Sequence, residues 1–211
     1  MTQDSEVEVP RTGERGGPKT RARISNIATQ MFIDKGFDAV TVAQVAKAAG
    51  VSSVTVFNHF PRKEDLLLDR ADETADLLRA AIRNRAPGVD VLTSLRALAR
   101  QLTDQQHALS GIADGAAPFF RTVAASPALI ARSREIAAEL EATLRQELER
   151  DTVFDADSTL LAAFVIAGYT TVLTETARKV IAGTPNLAVD HRARVEKLFD
   201  ALRTGFSEGL G

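Results

Sequence analysis

Residues 41–60, TVAQVAKAAGVSSVTVFNHF, hold the side chains best suited to reading another molecule. Two short apolar-periodic stretches, Val42/Val45/Ala46/Ala49 and Val56/Phe60, are joined by Gly50-Val51-Ser52. With Val56 and Phe60 turned inward at i, i+4, the second stretch presents Ser53, Val54, Thr55, Phe57, Asn58 and His59 outward. In a duplex major groove an Asn amide can take the adenine edge, Phe and Val can touch thymine methyls, and Ser and Thr can bond bases or phosphates. Two helices about a tight turn, the second facing out, form a helix-turn-helix. The same spacing also fits a small helical subdomain with a merely polar surface, and the residues by themselves leave both readings open.

Apolar spacing supplies the elements that must position this face. Ile24, Ile27, Ala28, Met31 and Phe32 recur at helical spacing and predict a helix closed by Gly36. Thr41 with Gln44 has capping-box spacing for the next helix, Gly50 ends it, and Ser52 or Ser53 caps a third helix that stops at Pro61. A long helix is expected over 62–85, and another through Val91, Leu95 and Leu102. Gly111, Gly115 and Pro118 interrupt 104–118, where only a short helix and loops are expected. Ser126-Pro127 opens a helix to about Arg150, 157–181 forms the next, and Val195, Phe199, Leu202 and Phe206 mark the last. The expected fold class is all-α, with about nine helices: a flexible basic arm over 1–19, a three-helix helix-turn-helix domain over 20–65, and a larger helical domain over 66–211.

Charge is uneven along the chain. Residues 1–9 carry three acids and no base, residues 10–63 carry nine Lys/Arg against three Asp/Glu, and residues 64–211 carry 17 bases and 22 acids. Within a net charge of only -2, a basic block on an acidic body is an electrostatic footprint for a polyanion. The 211 residues include no cysteine, which excludes a disulfide scaffold, a zinc ribbon, an iron–sulfur site and a thiol nucleophile. His59, His107 and His191 lack ligand-like spacing, and the sequence has no phosphate loop, nucleophile elbow or dinucleotide fingerprint. No metal, no cofactor and no catalytic residues are therefore expected, and the chain reads as a non-enzyme. Asp4, Glu6 and Glu8 stand where a secretory leader needs apolar residues, so a cytoplasmic location is expected. Residues 158–174 are uncharged but fall short of about 20 apolar residues. They read as a helix buried on two fronts, in its own domain and against a second subunit, with Gly168 allowing close approach, and not as a membrane span.

The Ile24/Ile27/Ala28/Phe32 helix, Lys35-Gly36-Phe37, Thr41-Val42 before Val45-Ala46, Ala49-Gly50-Val51-Ser52, Thr55-Val56-Phe57 leading to His59-Phe60-Pro61, and Lys63-Glu64 follow one another without a gap over residues 21–68. This stretch resembles the N-terminal domain of the TetR family of bacterial transcriptional regulators. The resemblance implies that Thr41 caps the second helix and contacts a phosphate, and that Gln44 and Lys47 face the DNA backbone. It implies that Ser53, Val54, Thr55, Phe57 and Asn58 face the groove, while His59 and Lys63 contact phosphates. Arg21, Arg23 and the arm's Arg11, Arg15 and Lys19 would add phosphate or minor-groove contacts. The chain departs from the family twice, with Phe57 where Tyr is frequent and Arg62 where a Ser or Thr cap is common.

For the C-terminal body the resemblance implies a small-molecule site and dimerisation through the last two long helices. Leu160, Phe164, Val172, Val195, Leu198 and Leu202 are the interface candidates; His107, Phe119, Phe120, Phe164 and Tyr169 are the pocket candidates. A body with one Tyr and no Trp suits an apolar, acyl-type effector better than a cationic one. The expected function is a homodimeric repressor released from a palindromic operator in double-stranded DNA by that effector, which would shift the helix beginning near Lys63. The alternative is a helical protein-interaction adaptor, or a small helical enzyme, without DNA binding.

Overall fold

Pro18 has no amide hydrogen to lose and a φ already suited to a helix, so it can sit in the first turn. The computed structural model describes residues 17–206, and it opens there with α1 (Pro18–Lys35). Arg11 and Arg15, in the expected arm, lie outside the described residues. The other helices are α2 (Val42–Ala48), α3 (Ser53–His59), α4 (Ala71–Arg83), α5 (Val91–Asp104), α6 (Ala116–Ala125), α7 (Pro127–Arg150), α8 (Ser158–Ile181) and α9 (Leu187–Gly205). Two 3-10 turns intervene, Glu64–Leu66 and Ala108–Ser110, and no strand occurs among the described residues. The fold is all-α. The chain forms two compact units that part between Leu67 and Leu68.

The first unit is built on Ile24, Ala28, Phe32, Phe37, Val45, Val56 and Phe60, all buried. Phe32 and Phe37 pack ring against ring at 4.9 Å. Burial of such a set is worth about 1.5–3 kcal/mol per side chain, which is what holds three short helices that would be marginal alone.

The second unit is layered differently. α7 and α8 run against one another, with α4 on α7, α6 on both, and α9 on α8 and α5. Its core includes Leu92, Leu95, Leu144, Leu148, Leu161, Val165, Val195 and Phe199. α8 is long and apolar enough to cross a membrane, but its Leu161/Val165/Val172/Val180 stripe is buried in this unit. Salt bridges tie the layers at their edges. Arg83 grips the buried Glu147 through two bonds, and Arg96 and Arg100 of α5 both reach Glu196 of α9. Arg100 and Arg96 hold the Glu196 carboxyl down at about 2.

Two expectations are corrected. The helix expected over 62–85 is interrupted: after the Glu64–Leu66 turn the chain bends, and α4 starts only at Ala71. Here the Asp65 carboxylate accepts the Arg62 backbone N–H at 3.2 Å, and the adjacent Leu66 and Leu67 are both buried, so tertiary burial overrides helical propensity. In addition, α6 runs through Pro118, treated above as a breaker. Pro118 occupies the first turn, where a missing N–H costs no helical bond.

Gly168 does permit close approach, but to α9 of its own chain. A Cβ there would lie 2.3 Å from Leu198 Cδ1. Gly168→Ala gains about 1 kcal/mol of helix propensity but overpacks the α8–α9 contact by about 1–3 kcal/mol. The expected result is a lowered Tm, with a favourable coupling of at least about 0.5 kcal/mol to Leu198→Ala in a double-mutant cycle read by thermal denaturation.

Candidate nucleic-acid interface

The helix-turn-helix is fixed by two side-chain caps. Thr41 Oγ1 accepts the Gln44 N–H at 3.2 Å while Gln44 Oε1 accepts the Thr41 N–H at 2.8 Å, a complete capping box at the start of α2. Gly50, at φ +64°, turns the chain in a conformation that an L side chain rarely adopts. Ser52 Oγ then accepts the Thr55 N–H at 3.1 Å and starts α3. Phe60 follows in extended conformation and is buried, so α3 ends after two turns.

This framework decides what α3 shows. Val56 is buried; Val54 is 69% exposed and Phe57 49% exposed, and Asn58 beside them is exposed. Val54, Phe57 and Asn58 stand at i, i+3 and i+4 and share one face. Ser53, Thr55 and His59 are half-buried. The hydroxyls of Ser52 and Thr55 bond one another at 2.9 Å, so Thr55 is less available as a polar reader than its residue type suggests. Thr41, Gln44 and Lys47 are exposed on α2. The capping box uses the Gln44 oxygen and leaves its amide NH2 as a donor. Lys47, Gly50, Val51, Ser52 and Thr55 line an open cleft between the two helices.

Two cations assigned to phosphates have partners within the unit. Lys63 Nζ donates to the Phe37 carbonyl at 2.7 Å and lies 4.1 Å from the centre of the Phe37 ring. It braces the 3-10 turn against the segment that follows α1. The Arg21 guanidinium sits 4.6 Å over the Phe60 ring. At the second departure from the family pattern, Arg62, the turn is stabilised by Asp65 in place of a hydroxyl cap.

In the body the pocket candidates have different surroundings. His107 caps the 3-10 turn that follows it, its Nδ1 accepting the Leu109 N–H at 3.3 Å, with Nε2 3.3 Å from Glu73; this is a structural role. Phe164 is 52% exposed and edges against Phe206, so it lies on the surface and not in a pocket. Phe119 and Phe120 pair edge to face on α6. Tyr169 packs on the core with its hydroxyl buried and lacking a hydrogen-bond partner among the described residues, and burial pushes its pKa up to about 12. A cleft between α4 and α5 is lined by Leu77, Ala81, Asn84, Arg85, Ser94 and Gln101 among others, and by none of these candidates.

The sequence reading passed over His191, which is wholly buried. The Thr176 hydroxyl lies 2.9 Å from both the Val172 carbonyl and His191 Nδ1. His191 Nε2 has no partner among the described residues, and burial lowers the imidazole pKa. An isolated His with no spacing partner gives no sign of this in the sequence.

The interface candidates also divide. Val172, Val195 and Leu202 belong to the core of their own unit, a correction, because a buried side chain cannot also face a mate. Leu198 is half-buried against Gly168. Leu160 and Phe164 are about half exposed, and Val189 on α9 is exposed as well.

Comparison with known proteins bears on this arrangement. Residues 24–69 match the family described as bacterial regulatory proteins, tetR family. The chain is 28% identical over 160 residues to the HTH-type transcriptional regulator TcmR of Streptomyces glaucescens, covering 73% of this chain and 70% of that protein. It is 35% identical over 100 residues to the HTH-type transcriptional regulator TtgR of Pseudomonas putida, covering 46% of this chain and 47% of that one. A solved TetR-family regulator from Streptomyces coelicolor shares the fold with a TM-score of 0.62 at 20% identity, over 93% of this chain and 99% of that chain. The capped helix-turn-helix lies within the stretch that matches the tetR-family model, and the helical body shares its fold with a solved TetR-family regulator, so the chain resembles bacterial transcriptional regulators of the TetR family along most of its length.

Proposed function

We propose that this regulator is a repressor that binds a palindromic operator as a homodimer and releases it on binding a small apolar effector. The observation that carries the DNA reading is the exposed Val54–Phe57–Asn58 face of α3, held outward by two side-chain caps. Seven Lys/Arg against four Asp/Glu in residues 17–67 give that unit the charge a polyanion requires. A single seven-residue helix reads few bases, so a two-fold pair of half-sites about 34–36 Å apart supplies the needed specificity. Leu160, Phe164 and Val189, apolar and exposed, support a second copy as the mate. For the effector, the Tyr169 hydroxyl offers a buried polar group awaiting a partner within apolar surroundings. A DNA partner in a bacterium implies a cytoplasmic site of action.

The test uses duplexes selected by the full-length protein from a randomised pool. Asn58→Ala should lower affinity for the selected sequence about 5- to 150-fold for each half-site and relax preference at one position in each. Lys47→Ala should weaken all duplexes alike and reduce the salt slope by about 1 for each of the two chains. Sedimentation should find two chains per duplex. Failure to enrich any sequence would end the reading.

A further inference from the structure

We infer that α3 reads its operator chiefly through thymine methyl groups, with Val54 and Phe57 as the specificity-determining pair; this rests on the DNA-binding reading above. Three observations converge on it. Two of the three exposed side chains on the recognition face are hydrocarbon, Val54 at 69% and Phe57 at 49%, and helical spacing makes them neighbours. The Thr55 hydroxyl, one of the two expected to face the groove, is engaged inside the protein by the Ser52 hydroxyl, which also takes the Thr55 N–H. Phe57 itself carries no hydroxyl, so it has nothing to donate to a phosphate.

The surroundings identify the occupant. An exposed apolar pair in a unit with seven Lys/Arg against four Asp/Glu over residues 17–67 fits a polyanion better than an apolar protein groove. A helix of seven residues is about 10 Å long and enters a major groove about 12 Å wide. The only apolar group that the major groove displays on standard bases is the C5-methyl of thymine. Asn58, one residue from Phe57, carries the amide that pairs with adenine N6 and N7. No Arg or Lys lies on α3 to take guanine O6 and N7. Methyl contact and amide together specify A·T pairs at the centre of each half-site.

The decisive experiment compares the selected duplex made with thymine and the same duplex made with deoxyuridine, which removes only the methyls. Wild-type protein should lose about fourfold in affinity for each methyl contacted, and so about 16-fold for one methyl in each of two half-sites. Val54→Ala and Phe57→Ala, both at exposed positions, should bind the two duplexes with less than half that discrimination on a logarithmic scale. Asn58→Ala should bind both more weakly yet keep the full thymine-to-uracil ratio. Equal wild-type affinity for the two duplexes overturns the inference while leaving DNA binding standing, as does discrimination that survives both apolar truncations. A protein that binds no duplex overturns this inference and the proposed function together.

Discussion

Phe32→Ala will unfold the N-terminal unit and abolish DNA binding while the body stays folded. Phe32 is wholly buried, packs against the tilted Phe37 ring, and lies 5.8 Å from the Lys63 ammonium. Truncating such a ring costs about 3–5 kcal/mol in lost transfer energy and residual cavity. A unit of some 50 residues has few further kcal/mol to lose, because small units bury a smaller share of their surface. The second unit keeps its own core around Leu92, Leu144 and Phe199, none of which involves Phe32. Far-UV circular dichroism should therefore show a partial loss of helix, with the remaining transition near its wild-type temperature. Phe32→Leu, which refills most of the space, should restore most of the helix and the binding. An alanine variant that binds DNA with wild-type affinity would refute this account of the unit's core.

Asp151→Ala is expected to destabilise the body as much as truncating one of its core rings. Asp151 follows α7 and meets Arg85, with Nη2 to Oδ1 at 2.8 Å and Nη1 to Oδ2, and the two side chains are only 14% and 6% exposed. The same guanidinium donates to the Ile82 carbonyl at 2.9 Å and the Val89 carbonyl at 3.0 Å. Asp151 in turn accepts the Val153 and Phe154 N–H groups. One pair thus joins the end of α4, the lead into α5 and the α7–α8 loop. Arg85 holds the Asp151 carboxyl below the usual carboxylate range. Removing one partner leaves a largely buried charge uncompensated, at a cost of about 3–5 kcal/mol. Urea denaturation should show the midpoint falling accordingly. Adding Arg85→Met should recover a large part of the loss, because the stranded cation is then gone. A loss below about 1 kcal/mol, the ordinary worth of an exposed pair, would contradict the burial argument.

Local rules were the most legible in the sequence. The Thr41/Gln44 box, the Ser52 cap and the Ser126-Pro127 start each involve residues within one turn, so type and spacing suffice to place them. What depended on distant partners was not legible. A cation next to a helix-turn-helix reads as a phosphate ligand until Phe37, 26 residues earlier, is seen to capture Lys63. Val172, Val195 and Leu202 make the same apolar stripe whether they face their own core or a mate, and only packing separates the cases. Residues 62–70 kept a helical pattern although burial of consecutive leucines broke it. On the recognition face the outward direction of Val54, Phe57 and Asn58 was readable from Val56 and Phe60, but the withdrawal of the Thr55 hydroxyl was not.

The ion pairs between α5 and α9 carry a consequence for how the chain finds its final alignment. Asp90 meets Arg203, Arg96 meets Glu196 and Asp200, Arg100 meets Glu196, and Asp104 meets Arg192. The order of signs makes this ladder a vernier with one setting. Sliding α9 by one turn sets Asp104 against Glu196 while Arg100 gains Asp200, and sliding it the other way sets Arg100 against Arg192 while Arg96 keeps Glu196, so either slip loses opposite-charge pairs and adds a like-charge one. The late-arriving C-terminal helix is thereby indexed to the body by its polar edge, while its greasy side supplies the adhesion.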